Sequence, residues 1–111
     1  MRNKPNILLI TTDQQRHDTL GPRKPGFLRT PHLDLLARQG TTFTRAYADC
    51  PVCVPSRVSI MTGLSAFGHG MAVNGQTSDC ASMGTGDTLP SRLGKLGYQT
   101  AAIGKMHFGP Q

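Results

Sequence analysis

Apolar positions fall into short runs along the chain, separated by stretches rich in Gly, Pro and polar residues. Residues 6–12 include the continuous run Ile7-Leu8-Leu9-Ile10 and are bounded by Pro5 and Asp13. A run of that length and continuity predicts a buried strand of a parallel sheet. Residues 14–29 contain Gly21, Pro22, Pro25 and Gly26 and read as a loop. Thr30-Pro31 then opens a helix, with Thr as N-cap and Pro at the first helical position. Leu33, Leu35, Leu36 and Ala37 supply its expected apolar face, and Gly40 its stop. Residues 42–47 alternate weakly and predict a second strand, followed by a turn through Asp49, Cys50 and Pro51. A helix is predicted over 55–61, closed near Gly63. Residues 68–86 are rich in Gly, Ser and Thr and read as a loop, whose length points to a functional role. Thr88-Leu89-Pro90 opens another helix, with Leu93 and Leu96 inward and Gly97 as its stop. Residues 98–103 predict a third strand, leading into Gly104-Lys105-Met106-His107.

The predicted order is strand, helix, strand, helix, helix, strand, which is an α/β pattern. Asp13 falls at the carboxyl end of the first strand, where open α/β sheets place their chemistry. No internal repeat is visible. The 111 residues suffice for one modest domain with a core. Because Gln111 follows a polar strand end where a closed domain would continue into a helix, residues 1–111 are expected to be an incomplete amino-terminal segment.

Composition narrows the function classes. Hydrophobic residues make up 37% of the chain, which suits a globular domain, and no apolar run approaches a membrane span. The amino terminus lacks the apolar core and small-residue cleavage site of a secretory signal, so a cytoplasmic location is expected. The net charge of +6 favours an anionic partner, but the basic residues are scattered and only 5% of residues are aromatic. That combination disfavours a nucleic-acid platform and leaves a small anionic ester as the better fit. The odd count of three cysteines, Cys50, Cys53 and Cys80, does not suggest a disulfide framework.

The chemistry concentrates around Cys53-Val54-Pro55-Ser56-Arg57, with Thr62-Gly63 beyond. Pro55 suits the first turn of a helix and puts residue 53 at its amino-terminal end, where N–H groups and the macrodipole favour an anion. Arg57, one turn on, adds a planar positive fork. This segment resembles the sulfatase signature, in which Cys-x-Pro-x-Arg directs oxidation of Cys to formylglycine (3-oxoalanine). Three further blocks resemble the family in its own order: residues 6–13 its first strand and metal-binding Asp, Thr30-Pro31-His32-Leu33-Asp34 its first helix start, and Gly104-Lys105-Met106-His107-Phe108-Gly109 its Gly-Lys-x-His segment. A five-residue motif alone is weak; four ordered blocks spread over nearly the whole chain are not.

The resemblance implies an alkaline-phosphatase-like three-layer α/β/α sandwich with a mostly parallel sheet. It implies hydrolysis of sulfate monoesters to alcohol and inorganic sulfate, after a formylglycine-generating enzyme has oxidised Cys53. A hydrated aldehyde carries two hydroxyls, one to attack sulfur and one to drive release of sulfate, where a plain Ser would be left as a stable ester. Asp13, Gln14 and the modified Cys53 would bind a divalent metal, with calcium first and magnesium or manganese next, as hard oxygen ligands prefer. Cys53, Arg57, Lys105 and His107 would be the catalytic set. Lys105 would also hold the sulfate, and His107 would contact the second hydroxyl and serve as a base in the release step. If the last strand continues through them, Lys105 and His107 lie on one face. Asn74 is at the offset where the phosphonate-hydrolase branch has a substrate-contacting Asn; a turn role before Gly75 competes with that reading. Many members carry a second Asp where this chain has Gln14, whose amide brings no charge. Asp13-Gln14 and Lys-Met-His-Phe resemble the choline-sulfatase and phosphonate-monoester-hydrolase branch.

Two other chemistries fit parts of the chain. A phosphonate monoester or phosphodiester hydrolase could use the same aldehyde and metal. Cys50-Pro51-Val52-Cys53 is also a Cys-x-x-Cys at a helix start, as in redox domains, and a zinc site might recruit His69 or Cys80. No second Cys pair stands at a zinc-like spacing, and that reading leaves the other blocks unexplained. Later metal ligands and a further Lys and His of the family have no counterpart here, so the isolated 111-residue chain is expected to be inactive or nearly so.

Overall fold

The structure is a computed structural model that describes residues 4–21, 24–75 and 88–107. The chain divides into two compact units, Met1–Arg45 and Ala46–Gln111.

The first unit contains a short 3-10 turn, His17–Thr19, and helix α1, Pro31–Gln39. Pro31 occupies the first helical position as its sequence context predicts. Thr30 is the N-cap residue, but its hydroxyl makes no capping bond. It donates instead to Asp34 Oδ1 at 3.0 Å and accepts from Lys24 Nζ at 2.8 Å, and Lys24 also pairs with Asp34 Oδ2. The start of α1 is therefore pinned by a three-residue polar cluster. The expected apolar face is not packed: Leu33, Leu35 and Leu36 stay exposed, and no residue of α1 is buried.

The second unit contains the packed core. Helix α2, Cys53–Thr62, buries Val54, Pro55 and Val58. Its amide-to-carbonyl ladder begins with Ser56 N donating to Val52 O at 3.0 Å. It ends at Gly63, whose φ of 71° is the left-handed conformation that glycine adopts without Cβ strain. Met71 closes over α2, so Val54, Val58 and Met71 form one buried apolar cluster. Helix α3, Ala66–His69, was hidden from the sequence pattern, because four residues are too few to show a period. Its start is nonetheless well capped: Ser65 Oγ accepts from Gly68 N at 3.2 Å and Asp49 Oδ2 accepts from Ala66 N at 2.6 Å.

Helix α4, Leu89–Lys95, follows the predicted start at both ends. Thr88 and Ser91 form a reciprocal capping box, with Ser91 Oγ accepting from Thr88 N at 2.9 Å. At its end Tyr98 N donates to Leu93 O at 3.1 Å and Gly97 N to Gly94 O at 2.8 Å, with Gly97 at φ 84°. That pair of bonds around a left-handed glycine is a Schellman termination. Both α3 and α4 pack against α2. Leu93 is half-buried as expected, whereas Leu96 faces solvent.

The expected strands at 6–12, 42–47 and 98–103 form no strand pairing among the described residues. Ile7, Leu8, Leu9, Ile10 and Ile103 are all exposed. Helix ladders close locally, but a strand needs a second row of amides and carbonyls distant in sequence. The helices have formed here on local bonds, while the apolar runs form no strand pairing among the described residues. Among the described residues no helix is long and apolar enough to cross a membrane.

Candidate active site

Residue 53 is the first residue of α2, so its side chain leaves the helix at the end where the backbone dipoles favour negative charge. Val52 precedes it as N-cap and offers no side-chain acceptor. Of the first-turn amides, Pro55 has no N–H, and the Val54 N–H donates to Asn74 Oδ1 at 3.0 Å. Asn74 lies in the turn before Gly75, which adopts φ 76°. Asn74 thus occupies a turn, as one of its two sequence readings expects, and that turn touches the helix end bearing residue 53.

Arg57 is half-buried one turn further along α2. Its Nη1 donates to the main-chain carbonyl of Lys105 at 2.6 Å, across 48 positions of sequence. One arm of the guanidinium therefore ties α2 to the segment 104–107. In that segment the expected alternation fails. Gly104 has φ 93° and His107 φ 60°, so the backbone turns and does not continue as a strand with Lys105 and His107 on one face. Lys105 is exposed and His107 half-buried. His107 Nδ1 is fully buried and has no hydrogen-bond partner among the described residues. A left-handed non-Gly residue with an orphaned buried nitrogen is strained, on the order of 1–3 kcal/mol for the backbone alone.

The same unit contains a buried histidine that belongs to the scaffold. His69 is 4% exposed. Its Nδ1 accepts from Met71 N at 3.2 Å, which puts the proton on Nε2, and Nε2 lies 2.9 Å from Ser59 Oγ. Both ring nitrogens are thus committed, which removes His69 as a zinc ligand. Cys50 and Cys53 are free thiols, and Cys50 Sγ lies 3.8 Å from Ala72 O. Cys80 lies outside the described residues.

Asp13 and Gln14 belong to the first unit. Gln14 has φ 54°, again left-handed for a residue with a Cβ. Among the described residues no three His, Cys, Asp or Glu side chains gather into a metal-binding group. The donor chemistry of Asp13 and Gln14, one carboxylate and one amide oxygen, fits a hard divalent cation, but the set needs more oxygens to fill six or more positions. Nearby, Arg16 forms a two-pronged pair with Asp18, with Nε donating to Oδ1 at 2.9 Å. That hydrogen bond holds the Asp18 carboxyl below its ordinary pKa and commits Arg16 to an ion pair.

In the second unit, a helix start bearing residue 53, a guanidinium one turn along that helix and a Lys/His segment tied to the guanidinium are brought together. Residues 5–111 match the Sulfatase family model, and the chain belongs to that family. It is 44% identical over 108 residues to an arylsulfatase of Clostridium perfringens, covering 97% of this chain and 22% of that protein. It is 40% identical over 112 residues to the steryl-sulfatase of Mus musculus, covering 95% of this chain and 18% of the relative. It is 37% identical over 105 residues to the multifunctional alkaline phosphatase superfamily protein PehA of Trinickia caryophylli, covering 89% of this chain and 20% of the relative. The chain thus spans about a fifth of the length of these relatives. The family implies an alkaline-phosphatase-like α/β fold. No solved structure matches the chain.

Proposed function

We propose that this segment belongs to a sulfatase that hydrolyses sulfate monoesters, with residue 53 as its covalent nucleophile. The observation that carries the proposal is the hydrogen bond from Arg57 to the Lys105 carbonyl. It brings the helix bearing residue 53 to the segment bearing Lys105 and His107, so two of the family's sequence blocks meet, which supports an anion-handling site there. Once oxidised to the aldehyde and hydrated by one water, residue 53 supplies two hydroxyls on one carbon, one to displace the alcohol from sulfur and the other to expel sulfate as the aldehyde re-forms. Lys105 would neutralise a sulfate oxygen with its ammonium. His107 accepts the proton released in the second step, and Asn74 lies beside residue 53, where its amino group can donate to the ester. Asp13 and Gln14, with an oxygen of the modified residue 53, would hold a divalent cation, calcium first and magnesium or manganese next. That cation would neutralise charge gathering on the ester oxygens. The three apolar segments 6–12, 42–47 and 98–103 are the expected strands of a mostly parallel sheet. Maturation would require a formylglycine-generating enzyme.

A second reading keeps the aldehyde and changes the ester. Gln14 stands where many members of the family carry a second Asp, a form that resembles the phosphonate-monoester-hydrolase branch, so a phosphonate monoester or phosphodiester hydrolase is the alternative. Side-by-side kinetics of the intact protein on an aryl sulfate and an aryl phosphonate decide between them. Faster turnover of the sulfate, lost on Cys53→Ala with folding intact, is the expected result; preference for the phosphonate selects the second reading.

A further inference from the structure

The helix that presents residue 53 lacks a cap of its own. Val52 stands at the N-cap position with an apolar side chain. A capping side chain ordinarily accepts from the second or third helical amide. Here the third residue is Pro55, which has no N–H, so the Val54 amide is the capping donor that needs a partner. Asn74 Oδ1 provides it at 3.0 Å from 20 positions away. Because a backbone N–H can only donate, the amide oxygen of Asn74 faces the helix and its amino group is turned elsewhere.

We propose that Asn74 is a positioning residue, the N-terminal cap of α2 supplied from another loop, which fixes the backbone immediately after residue 53. The inference rests on the reading of residue 53 as the nucleophile, and it gives the carbonyl of Asn74 a role of its own beside the substrate contact proposed for its amino group. A substrate contact needs only the amino group; a cap needs only the carbonyl. The loop is suited to hold a cap in place. Met71, 3% exposed, packs on Val54 and Val58, and the buried His69 bonds both Met71 N and Ser59 Oγ. The turn bearing Asn74 is therefore anchored to the same helix at the apolar face and through Ser59. A residue held this way limits the swing of the first helical turn, and with it the direction in which the residue 53 side chain leaves the helix.

Two substitutions in the intact protein separate the carbonyl from the amino group. Asn74→Ala removes both; Asn74→Asp keeps an acceptor, suited to a helix N-terminus, and removes the donor. Hydrogen exchange at the Val54 amide reads the cap without any catalysis. The expected result is about tenfold faster exchange in N74A, the loss of a cap of ordinary strength, and near-native protection in N74D. Kinetics on an aryl sulfate, normalised to aldehyde content, read the consequence. KM rises in both variants, which both lack the amino group; in N74A kcat also falls about tenfold or more, and in N74D kcat recovers relative to N74A. Should N74A fail to fold, Asn74→Ser, whose hydroxyl stops short of Val54, takes its place with the same expectation. Unchanged Val54 exchange in N74A overturns the proposal. So does a loss confined to KM in N74A, or a kcat in N74D as low as in N74A. If the wild-type protein bears the aldehyde yet turns over no sulfate ester, the sulfatase reading fails, and Val54 exchange alone then decides the role of Asn74.

Discussion

Removing Arg57 separates its effects on maturation, on geometry and on charge. Its Nη1 donates to the Lys105 carbonyl at 2.6 Å, a bond from a charged donor in a half-buried setting. Hydrogen bonds to charged groups contribute about 1.5–3 kcal/mol, and partial exposure puts this one near the lower end. About 1.5 kcal/mol is roughly a tenfold effect on kcat/KM if the bond is needed in the transition state. Arg57→Met loses the bond and the charge; Arg57→Lys keeps the charge but not the planar fork. Because Arg57 is part of the resemblance to the maturation motif, activity must be divided by the aldehyde content of each preparation, measured by mass spectrometry. On that basis both variants should fall by about tenfold or more in kcat/KM on an aryl sulfate. A double-mutant cycle with Lys105→Ala tests the route. If Arg57 acts by holding the Lys105 segment, R57M costs less in the K105A background, by an interaction energy of about 0.5–1.5 kcal/mol. Strict additivity, or wild-type activity per aldehyde in R57M, would refute the tie as a functional element.

Other expectations follow from the same geometry. His69→Ala opens a cavity and strands Ser59 Oγ and Met71 N, so it should destabilise the intact protein by about 3 kcal/mol in urea unfolding. Exhaustive chelation should abolish turnover of the intact enzyme, and calcium or magnesium should restore it; undiminished turnover without metal contradicts the roles given to Asp13 and Gln14. Lys24 and Thr30 hold the Asp34 carboxyl below its ordinary pKa. A depressed carboxyl contributes stability above its unfolded pKa of about 3.9 and loses it as pH falls through the lower folded value. Asp34→Asn should therefore flatten the fall in stability below about pH 4 and matter little to its slope near neutrality.

Local signals were legible in the sequence and distant ones were not. The starts of α1 and α4 were marked by Thr-Pro and Thr-Leu-Pro, and Gly63 and Gly97 marked stops, because capping is chemistry among near neighbours. Helix α3 was missed, although Ser65 is a cap residue, since one turn carries no period. The Thr30 hydroxyl was expected to cap α1 and serves Asp34 instead, a competition between side chains that spacing does not reveal. The apolar runs at 6–12 and 98–103 have strand composition, but pairing depends on chain far away in sequence. At the site, residue identities came from family blocks, whereas the Arg57 tie to Lys105 and the cap from Asn74 to Val54 are contacts across 48 and 20 positions that no local pattern contains. The turn at Gly104 that ended the expected Lys105/His107 alternation shows in backbone angles alone.

The most direct test of the central claim is mass spectrometry of the peptide containing residue 53, taken from intact protein produced together with a formylglycine-generating enzyme. The expected result is an aldehyde in place of the Cys53 thiol, with Cys50 still a free thiol. A fully unmodified Cys53, or a disulfide joining Cys50 and Cys53, would contradict it.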